Sequence, residues 1–130
     1  MATPPAAARR DIEAFCAQLP RNGIRPQRVI LFGSYARRGQ HEGSDLDLIV
    51  VSHDFRGKGL LRRLEMLGGA AGDALVPVQA RGYTPEEFAA PESGSFLEMI
   101  LSEKTIEIPL GRAAQKLRQS RRPRRRRAAA

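Results

Sequence analysis

The chain has 130 residues, 42% of them apolar and one of them a cysteine, which allows one modest hydrophobic core and excludes a disulfide framework or a cysteine-rich metal site. No apolar run approaches the roughly 20 residues that span a bilayer, and the N-terminus lacks the apolar stretch of a secretory signal, so a cytoplasmic protein with no membrane contact is expected. The formal net charge of +8 belongs to one end: residues 1–111 hold 13 Lys+Arg against 14 Asp+Glu, whereas residues 112–130 hold nine basic groups and no acid. The expected organisation is one domain over 1–111 and a basic, disordered tail over 112–130. Nucleic-acid contact by that tail is the sharper alternative to simple solvation.

Ile12, Phe15, Cys16 and Leu19 fall at helical spacing and predict an amphipathic helix over 7–19. Arg28 to Phe32 is short, apolar and β-branched, a buried strand that ends at Gly33-Ser34. Tyr35 to Arg38 reads as a first helical turn and Gln40 to Ser44 as a polar loop. Asp45 to Val51 begins in alternation and ends in a solid apolar run, as a central strand does. Leu60, Leu61, Leu64 and Leu67 predict a helix over 58–68 closed by Gly68-Gly69. A third strand is expected over 74–80, weakened by Pro77. Thr84-Pro85-Glu86-Glu87 is a helix start with Thr as N-cap and Glu at N3; Ser93 or Ser95 caps a further short helix with Phe96, Met99 and Ile100. Thr105 to Ile108 reads as a fourth strand. Strands interleaved with helices predict an α/β or α+β fold, a sheet covered by helices.

Two segments carry chemistry. Glycine at a strand end lets backbone approach a ligand closely, and a helix starting just after it points free N–H groups outward, which suits a phosphate oxygen; the Ser34 hydroxyl adds a donor there. Asp45 and Asp47, two apart on a strand, leave the same face roughly 6.6 Å apart. Two carboxylates so placed repel unless a divalent cation lies between them, and Mg²⁺ takes one or two carboxylates while phosphate and water complete its shell. Alone, Gly-Ser is a common pair and Asp-x-Asp is often mere alternation. It is the succession of strand, Gly-Ser, helical turn, ten-residue spacer and Ser-Asp-x-Asp that carries weight.

Leu31-Phe32-Gly33-Ser34-Tyr35-Ala36-Arg37 followed by Ser44-Asp45-Leu46-Asp47-Leu48-Ile49-Val50-Val51 resembles the signature of minimal nucleotidyltransferases of the DNA polymerase beta superfamily. Val51 to Phe55 and Gly82 to Phe88 extend the resemblance over about residues 25–110. It implies a mixed sheet flanked by helices, Mg²⁺ as cofactor, and transfer of a nucleoside monophosphate from an NTP, ATP in the first instance, to a hydroxyl. Gly33 and Ser34 would hold the triphosphate; Asp45 and Asp47 would be the catalytic, metal-holding pair. Arg37, one turn past Ser34, reads equally as a nucleotide phosphate contact or a solvated side chain. It further implies an antitoxin role beside a HEPN-type protein partner.

Two positions depart from the pattern. The family's third carboxylate falls four residues before the tyrosine of the Tyr-Thr-Pro-Glu-Glu-Phe segment, where this chain has Gln79, and a neutral amide cannot accept a proton. Arg38 stands where glycine is usual. The alternative to an active transferase is therefore a degenerate module that binds nucleotide or a partner without turnover. Asp73 and Glu107 are the other carboxylates considered for the missing role, His41 and His53 lack metal-ligand spacing, and Cys16 reads as a core residue.

Overall fold

A computed structural model describes residues 6–33, 35–36 and 45–111. Helix α1 (Ala6–Gln18) runs into a 3₁₀ turn at Pro20–Asn22, then β1 (Arg28–Phe32), β2 (Leu46–Val51) and a 3₁₀ turn at His53–Phe55. Helix α2 (Leu60–Ala74), β3 (Val78–Tyr83), α3 (Pro85–Ala89), α4 (Phe96–Leu101) and the two-residue β4 (Ile106–Glu107) complete it. The four strands form one mixed sheet in the order β3-β2-β1-β4, with β2 antiparallel to β1 and parallel to β3. The expected mixed sheet flanked by helices is what the chain forms.

Alternation along the strands divides the apolar side chains between two faces. Val29 and Leu31 of β1 and Leu46, Leu48 and Val50 of β2 join Ile12 and Phe15 of α1 and Leu67 and Ala70 of α2 in the larger cluster. Ile30, Phe32, Ile49 and Val51 point the other way, onto Leu97 and Ile100 of α4, with Tyr83 and Phe88 beside them. Helices of five and six residues cover only part of that second face.

Two boundaries differ from the sequence reading. Helix α2 continues through Gly68-Gly69 to Ala74, because Gly69 is used for approach and not for a turn: a Cβ on Gly69 would lie 2.5 Å from Oδ1 of Asn22, while one on Gly68 would meet open space. Asn22 also donates to Asp73 Oδ2 and to the Gln18 carbonyl, tying the first turn to the end of α2. Strand β3 consequently begins at Val78 and not at Ala74; Pro77, with no N–H to give, offers only its carbonyl, which accepts from Leu46 N at 2.8 Å. The other helix starts hold as read. Thr84 and Glu87 form a reciprocal capping box, and the Ser95 hydroxyl, of the two serines considered, caps α4 by accepting from Glu98 N. Glu87 also accepts from Arg63 at 2.7 Å. That pair, helped by the Thr84 backbone N–H, holds the Glu87 carboxyl below its ordinary range. The stability it contributes is present above the unfolded carboxylate pKa and lost as pH falls through the lower folded value.

Helix α2 ends on Leu75, which adopts the left-handed conformation (φ 57°) while 89% exposed. A branched side chain there carries backbone strain with no burial to offset it. Leu75→Gly is expected to stabilise the fold by about 0.5–1 kcal/mol after glycine's larger unfolded-state entropy is deducted, raising the melting temperature by a few degrees in calorimetry.

Candidate functional site

The register of β2 between its neighbours builds the site. Asp47 lies opposite Phe32 of β1 on one side and Gln79 of β3 on the other. Asp45 immediately precedes β2, so both aspartates belong to the sheet face that carries Phe32, Ile49 and Gln79. That face is left open at this end because α3 and α4 pack further along, on Ile49 and Val51. A hollow of about 690 Å³ results, with Phe32, Asp47, Gln79, Arg81 and Phe96 in its wall and leucines of α2 at its rim.

Gly33 follows β1 with φ 79°, a left-handed conformation that favours glycine. A Cβ there would stand 2.4 Å from Oδ2 of Asp47, so the absence of a side chain lets the glycine backbone and the carboxylate share one spot. Tyr35 and Ala36 are helical directly after it, with Ala36 N bonded to the Gly33 carbonyl at 3.1 Å. Ser34, Arg37, Arg38 and His41 lie outside the described residues, as does the basic segment 112–130.

Gln79 projects into the cleft. Its Nε2 donates to Oδ2 of Asp45 at 2.8 Å, an exposed side-chain bond across the parallel β2–β3 pair. A carboxylate only accepts hydrogen bonds, so the amide nitrogen and not its oxygen must face Asp45 here. The other carboxylates weighed for this position are elsewhere. Glu107 lies on the opposite edge strand, β4, paired with Arg28 at 2.6 Å, and Asp73 is held by Asn22 at the end of α2. His53 opens the turn after the far end of β2, away from Asp45. Burial pushes the Cys16 thiol up to about 12, with Glu13 acting in the same direction, which fits a core residue and no nucleophile.

Two carboxylates and an amide, all oxygen donors once the amide turns over, are the hard ligand set that Mg²⁺ accepts. Among the described residues no group of three His, Cys, Asp or Glu could hold a metal, so the donor set depends on Gln79 or on ligands from the substrate. Arg81, two residues beyond Gln79 on the same face, was not singled out in the sequence. Only the β3 register brings it to the cleft, and a strand expected to stop at Ala80 could not reveal it. Among the described residues no helix is long and apolar enough to cross a membrane.

The family model for a nucleotidyltransferase domain matches residues 10–107. No curated protein matches the chain significantly. Among solved structures, the chain is similar to a toxin-antitoxin crystallised with AMP-PNP, at 21% identity and a TM-score of 0.49, covering 84% of this chain and 78% of that one. It is similar also to a mutant of the toxin-antitoxin MntA-HpeT, at 20% identity and a TM-score of 0.44, covering 78% and 75%. At that similarity neither assigns a role to any residue here.

Gly33→Ala is expected to cost about 1–3 kcal/mol, from the left-handed φ and the clash with Asp47 together. In an Asp47→Ala background, where the clashing oxygen is gone, the cost should fall measurably. Denaturant unfolding of the four proteins of this cycle measures the coupling; strict additivity would show that Gly33 and Asp47 do not share space.

Proposed function

Because the chain belongs to the nucleotidyltransferase domain family, we propose that the cleft binds a nucleoside triphosphate, ATP in the first instance, together with Mg²⁺ and transfers its nucleoside monophosphate to a hydroxyl acceptor. The observation that carries this reading is the convergence of Asp45, Asp47 and Gln79 beside a glycine whose backbone approaches Asp47. Gly33, with Ser34 and Arg37, is assigned the triphosphate, and Asp45 and Asp47 the metal. Mg²⁺, when bound, neutralises charge on the triphosphate and on the departing pyrophosphate.

In the transfer, the acceptor oxygen forms a bond to the α-phosphorus, the bond to the bridging oxygen breaks, and pyrophosphate leaves with that electron pair. The acceptor proton needs a base. Gln79 occupies the position where the family supplies a carboxylate, and its amide cannot take the proton, which then passes to water. General-base help is worth roughly 10²–10⁴ in rate, so transfer is slow relative to a site with three carboxylates. The Gln79–Asp45 bond favours the second reading as well, a module that binds nucleotide or partner without turnover: the amide steadies Asp45 without a metal and competes with one for its oxygen. An antitoxin role with a HEPN-type protein as partner and acceptor rests on the motif resemblance of residues 25–110. Nucleic-acid contact rests on the nine basic groups after Gly111.

Nucleotide binding is expected to require the divalent ion, and Asp45→Asn with Asp47→Asn to abolish it. Calorimetric titration of ATP and GTP with Mg²⁺ and with EDTA tests this; equal affinity in both would remove the metal from the reading.

Gln79→Asp is expected to raise labelling of the protein itself or of a co-expressed partner by radiolabelled NTP. Three carboxylates close together also repel, so the variant should melt lower than wild type in EDTA and recover with Mg²⁺. A robust wild-type rate left unchanged by Gln79→Asp would place the base elsewhere.

A further inference from the structure

Arg81 and Gln79 leave the same face of β3. The Arg81 guanidinium lies 4.0 Å from the centroid of the Phe96 ring, above its plane. Phe96 in turn meets Phe32 edge-on, with centroids 6.0 Å apart and planes at 75°. Phe32 is the register partner of Asp47, so an aromatic row leads from the carboxylates to the arginine. Nearby Arg63 and Arg56 are committed to Glu87 and Glu86. Arg81 is exposed, and among the described residues no carboxylate pairs with it.

Stacking uses the flat π surface of the guanidinium and leaves the N–H donors in its plane for a ligand. The ring also restricts a long side chain in advance, which lowers the entropy lost on binding. Such a fork matches the paired oxygens of a phosphate or carboxylate. Arg81 also separates the carboxylate cleft from a second hollow of about 490 Å³, to which Lys58 and Arg63 contribute.

Gly33 and Arg81 stand on opposite flanks of β2. Crossing from β1 to β3 takes two strand spacings, roughly 9–10 Å, and Arg81 lies about three residues, roughly 10 Å, further along the sheet than Gly33. A triphosphate seated at Gly33 and ending at the aspartates would stop short of Arg81. Building on the nucleotidyltransferase reading, we infer that Arg81, backed by Phe96, binds an anionic group of the second substrate, so that the acceptor carries a phosphate or carboxylate near its reacting hydroxyl.

The test uses NMR of the full chain with Mg²⁺ and a non-hydrolysable ATP analogue at saturation, titrated separately with inorganic phosphate and with acetate. Saturable shifts of the Arg81 Nε–H and the Phe96 ring are expected, and the stronger of the two anions identifies the acceptor's group. Arg81→Met keeps the apolar cover over Phe96 and should preserve the melting temperature while weakening the anion about tenfold or more. Should that variant not fold, Arg81→Lys, which keeps the charge and loses the fork, is expected to weaken phosphate severalfold. Shifts absent with both anions, shifts that persist in Arg81→Met, or shifts abolished by the nucleotide would each overturn the inference. Failure of the nucleotide to bind while phosphate still shifts Arg81 would retain the anion site and overturn the reading of the preceding subsection instead.

Discussion

Strand β2 is paired along both sides, antiparallel to β1 and parallel to β3, and each of its side chains is committed to one face by that double pairing. Leu46, Leu48 and Val50 are buried under α1 and α2, so Asp47 has to emerge on the opposite face with Ile49 and Val51. A slip of one residue would bury Asp47 in the larger cluster and turn Leu46, Leu48 and Val50 out of it, at a cost of several kcal/mol from the carboxylate alone. The position of the aspartates is thus enforced by the core. The same register brings Phe32 and Gln79 alongside Asp47, and Arg81 two residues later.

Where the fold was legible in the sequence, local chemistry and tertiary packing agreed. Arg28 to Phe32 and the run from Leu46 to Val51 are apolar enough to be strands in almost any context, and Thr84 with Glu87 specifies its own helix start. The error at β3 has a physical source. Gly68-Gly69 resembles a helix end unless one knows that Asn22, nearly fifty residues earlier, needs the space over Gly69. With α2 read as closing at Gly68-Gly69, Ala74 to Ala80 is the apolar run available for a strand, and Arg81-Gly82-Tyr83 falls outside it. The face of Gln79 was legible because alternation from Val78 onward survives that shift. The hydrogen bond from Gln79 to Asp45 was not, since it depends on a parallel register between segments more than thirty residues apart.

That bond alters the electrostatics of the cleft as well as its proton chemistry. Three carboxylates would make an apo site that is held apart by repulsion and drawn together by a cation. Two carboxylates and an amide make one that is already cohesive and carries one negative charge fewer, with the Arg81 cation nearby on the same face. On the proposed function, such a cleft would suit a metal that arrives with a nucleotide better than a bare ion.

Strand β4 gives the sheet an uneven order of assembly. Ile30 pairs with Ile49 across 19 positions and with Glu107 across 77, so closing the second loop costs about 1.2 kcal/mol more chain entropy for a fourfold longer segment. Set against that cost are the short β4 ladder, the surface pair Arg28–Glu107, the Ile108 N–H bonded to Val29, and the burial of Ile106 and Ile108 in the larger cluster. The β1 edge is accordingly late to close, and once closed it is held less by its two-residue ladder than by Ile106 and Ile108, which carry the end of the described chain into the core under the sheet.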